Sequence, residues 1–261
     1  MKYFRQVTGA STLRELDTPT LLKFDAWLKS QTQWADSYRL MFVSKIQAVI
    51  SYGKKRGFDV EEIDKALSRL VVVERPKIRN KYESKPITVS DWKALFAATD
   101  GKKLERAMVL MGLNCALYCQ DLSDLLWKYI NLEAGTLVMD RGKTGFLRVS
   151  TLWPETIAAL NAIKPAVISP ELPVFCSRRG TAYKADSLRD LFIPIRPVGL
   201  EFNQLRDGAY TSSCGAGIAF QLCQIVAGHA TGAGESDKYI CRNPLMVKPA
   251  CEAIYAMYMI G

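Results

Sequence analysis

The segment VVVERPKIRNKYESKP, residues 71–86, constrains the fold more than any other stretch of this chain. Pro76 and Pro86 each lack a backbone N–H and fix φ, so a helix cannot run smoothly through the segment. Arg75, Lys77, Arg79 and Lys81 place a cation at every second position between them. An extended, basic strip of this kind is poor material for a core, so it divides the 261 residues into two bodies. The expected boundaries are a first domain over 1–72, a linker over 73–87 and a second domain over 88–261. Both bodies are long enough to hold a hydrophobic core of their own.

The first body reads as short amphipathic helices from about residue 12 to 70. TPTLLKFDAWLKS has Pro19 near its start, DSYRLMFVSKIQAVISYGKKRGF has apolar residues at three- and four-residue steps, and DVEEIDKAL follows. Lys54, Lys55 and Arg56 cluster at the end of the second of these and give the domain a basic flank. The second body opens at Thr88, where Thr88 and Asp91 form a Thr-x-x-acid helix start. KKLERAMVLMGLNCALYCQDLSDLLW then predicts a long buried helix, a break and a short helix. GTLVMDRGKTGFLRVSTL predicts two strands joined by a turn-rich hairpin. Helical patterns return after Pro154, after Lys184 and from Phe202 to the end. The expected class is mostly α with a small antiparallel β-sheet.

Charge and cysteine usage narrow the function. The chain carries a formal charge of +9. Residues 1–88 hold 17 Lys and Arg against 10 Asp and Glu, a net +7, and the remainder only +2. A polyanion, nucleic acid or an acidic membrane surface, is the expected partner, held chiefly by the first third. The seven cysteines sit irregularly inside apolar runs and read as reduced core residues of a cytoplasmic protein. Cys115 and Cys119 have the i, i+4 spacing of a helical metal pair, but with one histidine and no second pair no metal is expected. MKYFRQVTGAST lacks the apolar region of a secretory signal. The longest apolar run is too short to span a bilayer and is interrupted by Asn114, so a membrane role is not expected.

The residues with chemical potential are dispersed: Lys143 in RGKTGFLRVSTL, Arg206 in FNQLRDGAYTSSCGAGI, and His229, the only histidine, ten residues before Tyr239 in VAGHATGAGESDKYI. Together with ALYCQDLSDLLWKYINLEAGTL they resemble, in order and separation, the motifs of the tyrosine recombinase (phage integrase) family. There the first segment reads Gly-Leu-Arg-x-x-Glu-x-x-x-Leu-x-Trp-x-x-Ile-x-Leu, with Asp121 at the Glu and Trp127 at the Trp. The hairpin carries the catalytic lysine, matched by Lys143. A His-x-x-Arg helix is matched at Arg206, and a Gly-His motif precedes the nucleophilic tyrosine, matched by His229 and Tyr239. The resemblance covers residues 12 to 258, and Tyr239 stands one residue further from His229 than the commonest family spacing.

The resemblance implies a helical SAM-like core-binding domain followed by a catalytic domain, both gripping double-stranded DNA. It implies a homotetramer on DNA from a protein monomeric in solution, with the C-terminal segment docking in cis or on a neighbour. It also implies strand cleavage through a 3′-phosphotyrosine, without metal, ATP or other cofactor. Tyr239, on a helix following the glycine-rich loop, would attack; Lys143 would protonate the leaving oxygen; Arg206 and His229 would donate to the non-bridging oxygens. Two positions depart from the pattern. Tyr118 stands where the first arginine belongs, and Asn203 stands where the histidine of His-x-x-Arg belongs. Losing one cationic donor costs on the order of 10²–10³ in rate, so impaired or altered catalysis is expected, with Arg141 and Arg178 as candidates to restore the charge. Plain structural roles remain open: a turn lysine for Lys143, an ion pair of Arg206 with Asp207 or Asp190, a helix cap for His229, a core position for Tyr239, with Tyr255 and Tyr258 as rival nucleophiles. The alternative function is a catalytically decayed, DNA-binding repressor, architectural or accessory protein on the same scaffold.

Overall fold

The computed structural model describes residues 2–69, 84–140, 146–167, 169–177, 179–231 and 239–260. The chain divides into two units, Met1–Tyr82 and Glu83–Gly261.

The described residues of the first unit form the α-helices α1 (Lys2–Thr8), α2 (Thr18–Ser30), α3 (Asp36–Lys55) and α4 (Glu61–Arg69). Asp17 caps α2, its side chain accepting from the Thr20 N–H, and the next residues, Thr18 and Pro19, begin the helix. Phe4, Leu21, Phe24, Leu28, Phe42, Ile46 and Ile50 are buried together and form the unit's core. The first helix was not expected; its seven residues are too few to show a period, yet Phe4 is buried and its ring meets Phe24 edge-on at 4.8 Å. Lys54 and Lys55 lie exposed in the last turn of α3, where cations favour the helix dipole, and Arg56 follows them with its guanidinium over the Tyr52 ring.

The second unit runs α5 (Val89–Ala97), α6 (Lys103–Asn114), α7 (Cys119–Ser123), β1 (Ile130–Asn131), β2 (Thr136–Asp140), β3 (Leu147–Thr151), α8 (Pro154–Ile163), α9 (Ala185–Phe192), α10 (Asn203–Gly215), α11 (Phe220–Val226) and α12 (Lys248–Tyr255). Thr88 caps α5 as the Thr-x-x-acid pattern predicts, its hydroxyl accepting from the Asp91 N–H at 3.0 Å. The sheet is antiparallel in the order β1-β2-β3, with Met139 opposite Arg148 and Val138 opposite Val149. The two-residue β1 was not predicted; it pairs Ile130 with Leu137 and Asn131 with Thr136.

Asn114, which interrupts the apolar run of α6, is fully buried and explains itself by its partners. Its side chain donates to the Thr151 carbonyl and accepts from the Trp153 N–H, both at 2.9 Å, fastening α6 to the exit of β3. Cys115 and Cys119 do not share a helix: α6 ends at Asn114 and α7 begins at Cys119, which corrects the helical-pair spacing. Both thiols are pushed upward by burial, and no group of three or more His, Cys, Asp or Glu among the described residues is placed to hold a metal. No described helix is long and apolar enough to cross a membrane.

The C-terminal segment packs on its own unit. Ala250, Cys251, Ile254 and Tyr258 enter the core with α6 and α10. The Trp153 indole N–H donates to the Cys251 carbonyl, and the Tyr258 hydroxyl donates to the Ile87 carbonyl at 2.9 Å. Gly208 on α10 permits this approach, since a Cβ there would meet the Tyr258 hydroxyl and Ile87 Cγ2, each at 2.7 Å. Lys85 and Ile87, inside the expected linker, are tied to α10: the Gln204 side chain donates to the Lys85 carbonyl and the Ile87 N–H donates to the Gln204 carbonyl.

Candidate active site

Why a glycine precedes the only histidine is answered by how α11 ends. Gly228 takes φ +65°, a left-handed conformation that suits glycine. The His229 N–H donates to the Gln224 carbonyl at 2.8 Å and the Gly228 N–H to the Ile225 carbonyl at 2.9 Å. Those two bonds are a Schellman cap. His229 therefore does cap α11, but with its backbone, which leaves the imidazole to turn toward α10.

There the ring meets Arg206. Arg206 Nη2 lies 2.7 Å from His229 Nε2. A guanidinium only donates, so Nε2 is the acceptor and the ring proton of the neutral imidazole sits on Nδ1. The same Nη2 donates to the Ala227 carbonyl at 2.6 Å, and Nη1 donates to the Ala116 carbonyl at 2.8 Å. Ala116 holds φ 52°, the one described non-glycine residue at positive φ. That conformation stands where the family pattern has its glycine, and its carbonyl receives the arginine. Arg206 is 3% exposed. Tyr118 covers it, with the guanidinium 4.4 Å from the ring centroid, a cation–π contact of about 0.5–2 kcal/mol.

A second guanidinium, one that the sequence analysis did not single out, donates to the same carbonyl as the first. Arg148 on β3 is fully buried; Nη1 pairs with Asp121 Oδ2 at 3.1 Å and Nη2 donates to the Ala227 carbonyl at 3.0 Å. That carbonyl, at the C-terminal end of α11, thus accepts from two arginines. Asp121 also accepts from the Tyr118 N–H at 2.8 Å. A charged residue between the apolar Leu147 and Val149, on a predicted strand, was the available signal.

The other predicted residues are dispersed. Asn203 begins α10 one turn before Arg206 and is exposed. Asp207 is partly buried, and burial holds its carboxyl above the usual range against the pull of Arg206. Tyr210, whose ring lies edge-on to His229 at 5.9 Å, is pushed to about 12 by burial. Tyr239 is 88% exposed, which removes the core alternative. The residues after it, 240–243, are not helical; Asn243 caps a short turn over Pro244–Val247, so the tyrosine is not followed at once by a helix. Arg242 ties this stretch to the hairpin, donating to the Leu147 carbonyl at 3.0 Å. Tyr258 is buried and pushed to about 12, and Tyr255 donates to Glu155, which also raises it; both are poor rivals as nucleophiles. Lys143, Arg141, Arg178 and the linker cations Arg75, Lys77, Arg79 and Lys81 lie outside the described residues.

No family model matches the sequence, and no curated protein is significantly similar to it. Solved structures are similar over nearly the whole chain. The integrase from mycobacterium phage Brujita is 16% identical, with TM-score 0.53 over 96% of this chain and 82% of that one. A lambda integrase dimer bound to a COC′ core site is 16% identical, with TM-score 0.61 over 91% and 84%. The Tn1549 transposon integrase in complex with transposon right end DNA is 13% identical, with TM-score 0.60 over 94% and 88%. With its helical first unit and its mainly helical second unit around a three-stranded antiparallel sheet, the chain has the fold of the tyrosine recombinases.

Proposed function

We propose that this protein binds duplex DNA and cleaves and rejoins it through a 3′-phosphotyrosine, with Tyr239 as nucleophile. The observation that carries the reading is the direct Arg206–His229 contact at 2.7 Å, made by residues 23 apart and arranged by the Gly228 cap. The imidazole Nε2 accepts from a buried guanidinium that also holds the Ala116 and Ala227 carbonyls; a phosphate oxygen replacing the Nε2 acceptor would take the guanidinium's N–H and face the imidazole as well. Tyr239, exposed on the same unit, is free of packing that would hold it from the scissile phosphate. Its phenol proton passes to solvent as its oxygen attacks phosphorus, the bond to the 5′ oxygen breaks, and Lys143 delivers the proton that this oxygen needs to leave as a hydroxyl. The phosphotyrosine keeps the bond energy, so rejoining is the reverse step. The integrases bound to DNA among the similar structures support duplex DNA as partner, as does the +9 charge. Assembly as a tetramer on DNA, from a monomer in solution within the cytoplasm, belongs to the same reading.

Incubation with duplex DNA in EDTA and without nucleotide should give strand cleavage. Arg206→Ala should lower it at least ~10²-fold while duplex binding changes far less; equal losses in both would reduce Arg206 to a DNA contact. A second reading has one observation in its favour, the Tyr118 ring stacked on Arg206 and covering it. It is a DNA-binding protein with a closed phosphate site, and undiminished binding without any cleavage is its signature.

A further inference from the structure

We propose that Arg148 is a positioning residue of the anion site, supplying from strand β3 the second guanidinium charge that Tyr118 does not provide. The inference rests on the phosphate-site reading above. The geometry points to it in three ways. Asp121 has a guanidinium partner, Arg148 at 3.1 Å, although the residue three positions before it is a tyrosine. Arg148 and Arg206 converge on one oxygen, the Ala227 carbonyl, at 3.0 and 2.6 Å, so the two guanidinium groups share an acceptor. Both guanidinium groups are buried, where the charge of one is felt at the other's ligand with little screening by water. Arg148 is fully buried and does not touch the substrate. It acts through its charge and through the Ala227 peptide, which leads directly into Gly228 and His229 and fixes where the imidazole stands.

His229 is the only histidine in the chain, so its imidazole ¹⁵N signals report on the site without ambiguity. The experiment titrates the full-length ¹⁵N-labelled protein with inorganic phosphate at fixed pH and compares native, Arg148→Lys, Arg148→Met, Tyr118→Arg and the Arg148→Met/Tyr118→Arg pair. The native protein should bind phosphate with a saturable shift of the His229 signals. Arg148→Lys should stay within about threefold, Arg148→Met should lose about tenfold or more, and Tyr118→Arg should restore the Met variant. That rescue from another position is something a packing role would not produce. Unchanged affinity in a folded Arg148→Met protein overturns the proposal. Should Arg148→Met not fold, Tyr118→Arg alone decides: a gain under twofold means the second charge is already present, and a gain of tenfold means it was missing and the proposal fails. If the native protein shows no phosphate-dependent shift at all, the phosphate site itself is wrong and the inference falls with it, a result distinct from failure of Arg148 alone.

Discussion

Ala116 shows at a single residue how the site is built into the backbone. Its φ of 52° aims its carbonyl at Arg206 Nη1, and an L-residue there is strained by about 1–2 kcal/mol. Glycine removes the strain but adds unfolded-state entropy, so Ala116→Gly should stabilise by a net ~0.5–1 kcal/mol, read as a higher denaturant midpoint with an unchanged slope. Asp207 gives a pH test. Its carboxyl is raised by burial, so the folded state holds the proton more tightly than the unfolded chain does. The resulting stability is complete below the ordinary carboxylate value and is lost as pH rises through the raised one. Asp207→Asn should therefore melt higher than the native protein at pH 7, and the gap should close below about pH 4; a gap independent of pH would place its origin in packing. Arg206, His229 and Tyr239, the first two in contact in the structure, were singled out by their types and order in the sequence. Arg148 was not, because a β-strand's two-residue period says which face a side chain takes and nothing of which helix end lies opposite.

Among elements, the Gly228 cap and the α10–α12 contact carry the arrangement. Gly228→Ala forces an L-residue to φ +65° and should cost about 1–2 kcal/mol; it should also disturb the His229 ring, visible in its ¹⁵N signals. Gly208→Ala puts a methyl 2.7 Å from Ile87 and from the Tyr258 hydroxyl, and should cost about 1–3 kcal/mol in a thermal melt. A loss well below that range would mean the C-terminal segment detaches readily. The long helices and the β2–β3 hairpin were readable from periodicity and turn residues. Helix α1 and strand β1 were not, since seven and two residues carry no usable period and their place is set by Phe4 packing on Phe24 and by pairing with β2. The 3.6-residue period also misled at Cys115 and Cys119, where a turn after Asn114 breaks the spacing it assumes.

At the scale of the molecule, the two units have separate cores and most of the net charge lies in the first third, so the proposed DNA affinity would be spread over both. Removing residues 1–82 should weaken duplex binding strongly and flatten the dependence of log affinity on log salt; an unchanged slope would put the electrostatic grip in the second unit. Two prolines and a run of cations led to the expected division into 1–72, 73–87 and 88–261, and the structure divides between Tyr82 and Glu83; the family likeness below 20% identity rests on order and spacing and needed the fold to support it. The proposed chemistry requires that this fold, with Arg206 and His229 in contact and Tyr239 exposed, forms a covalent link to DNA. The most direct measurement is peptide mass mapping of the protein after incubation with a duplex nicked so that the cleaved strand diffuses away. The expected product is a phosphotyrosyl-nucleotide on Tyr239, absent from Tyr239→Phe and greatly reduced in Arg206→Ala. A nucleotide on Tyr255 or Tyr258, or native protein that binds the duplex and never carries one, would contradict it.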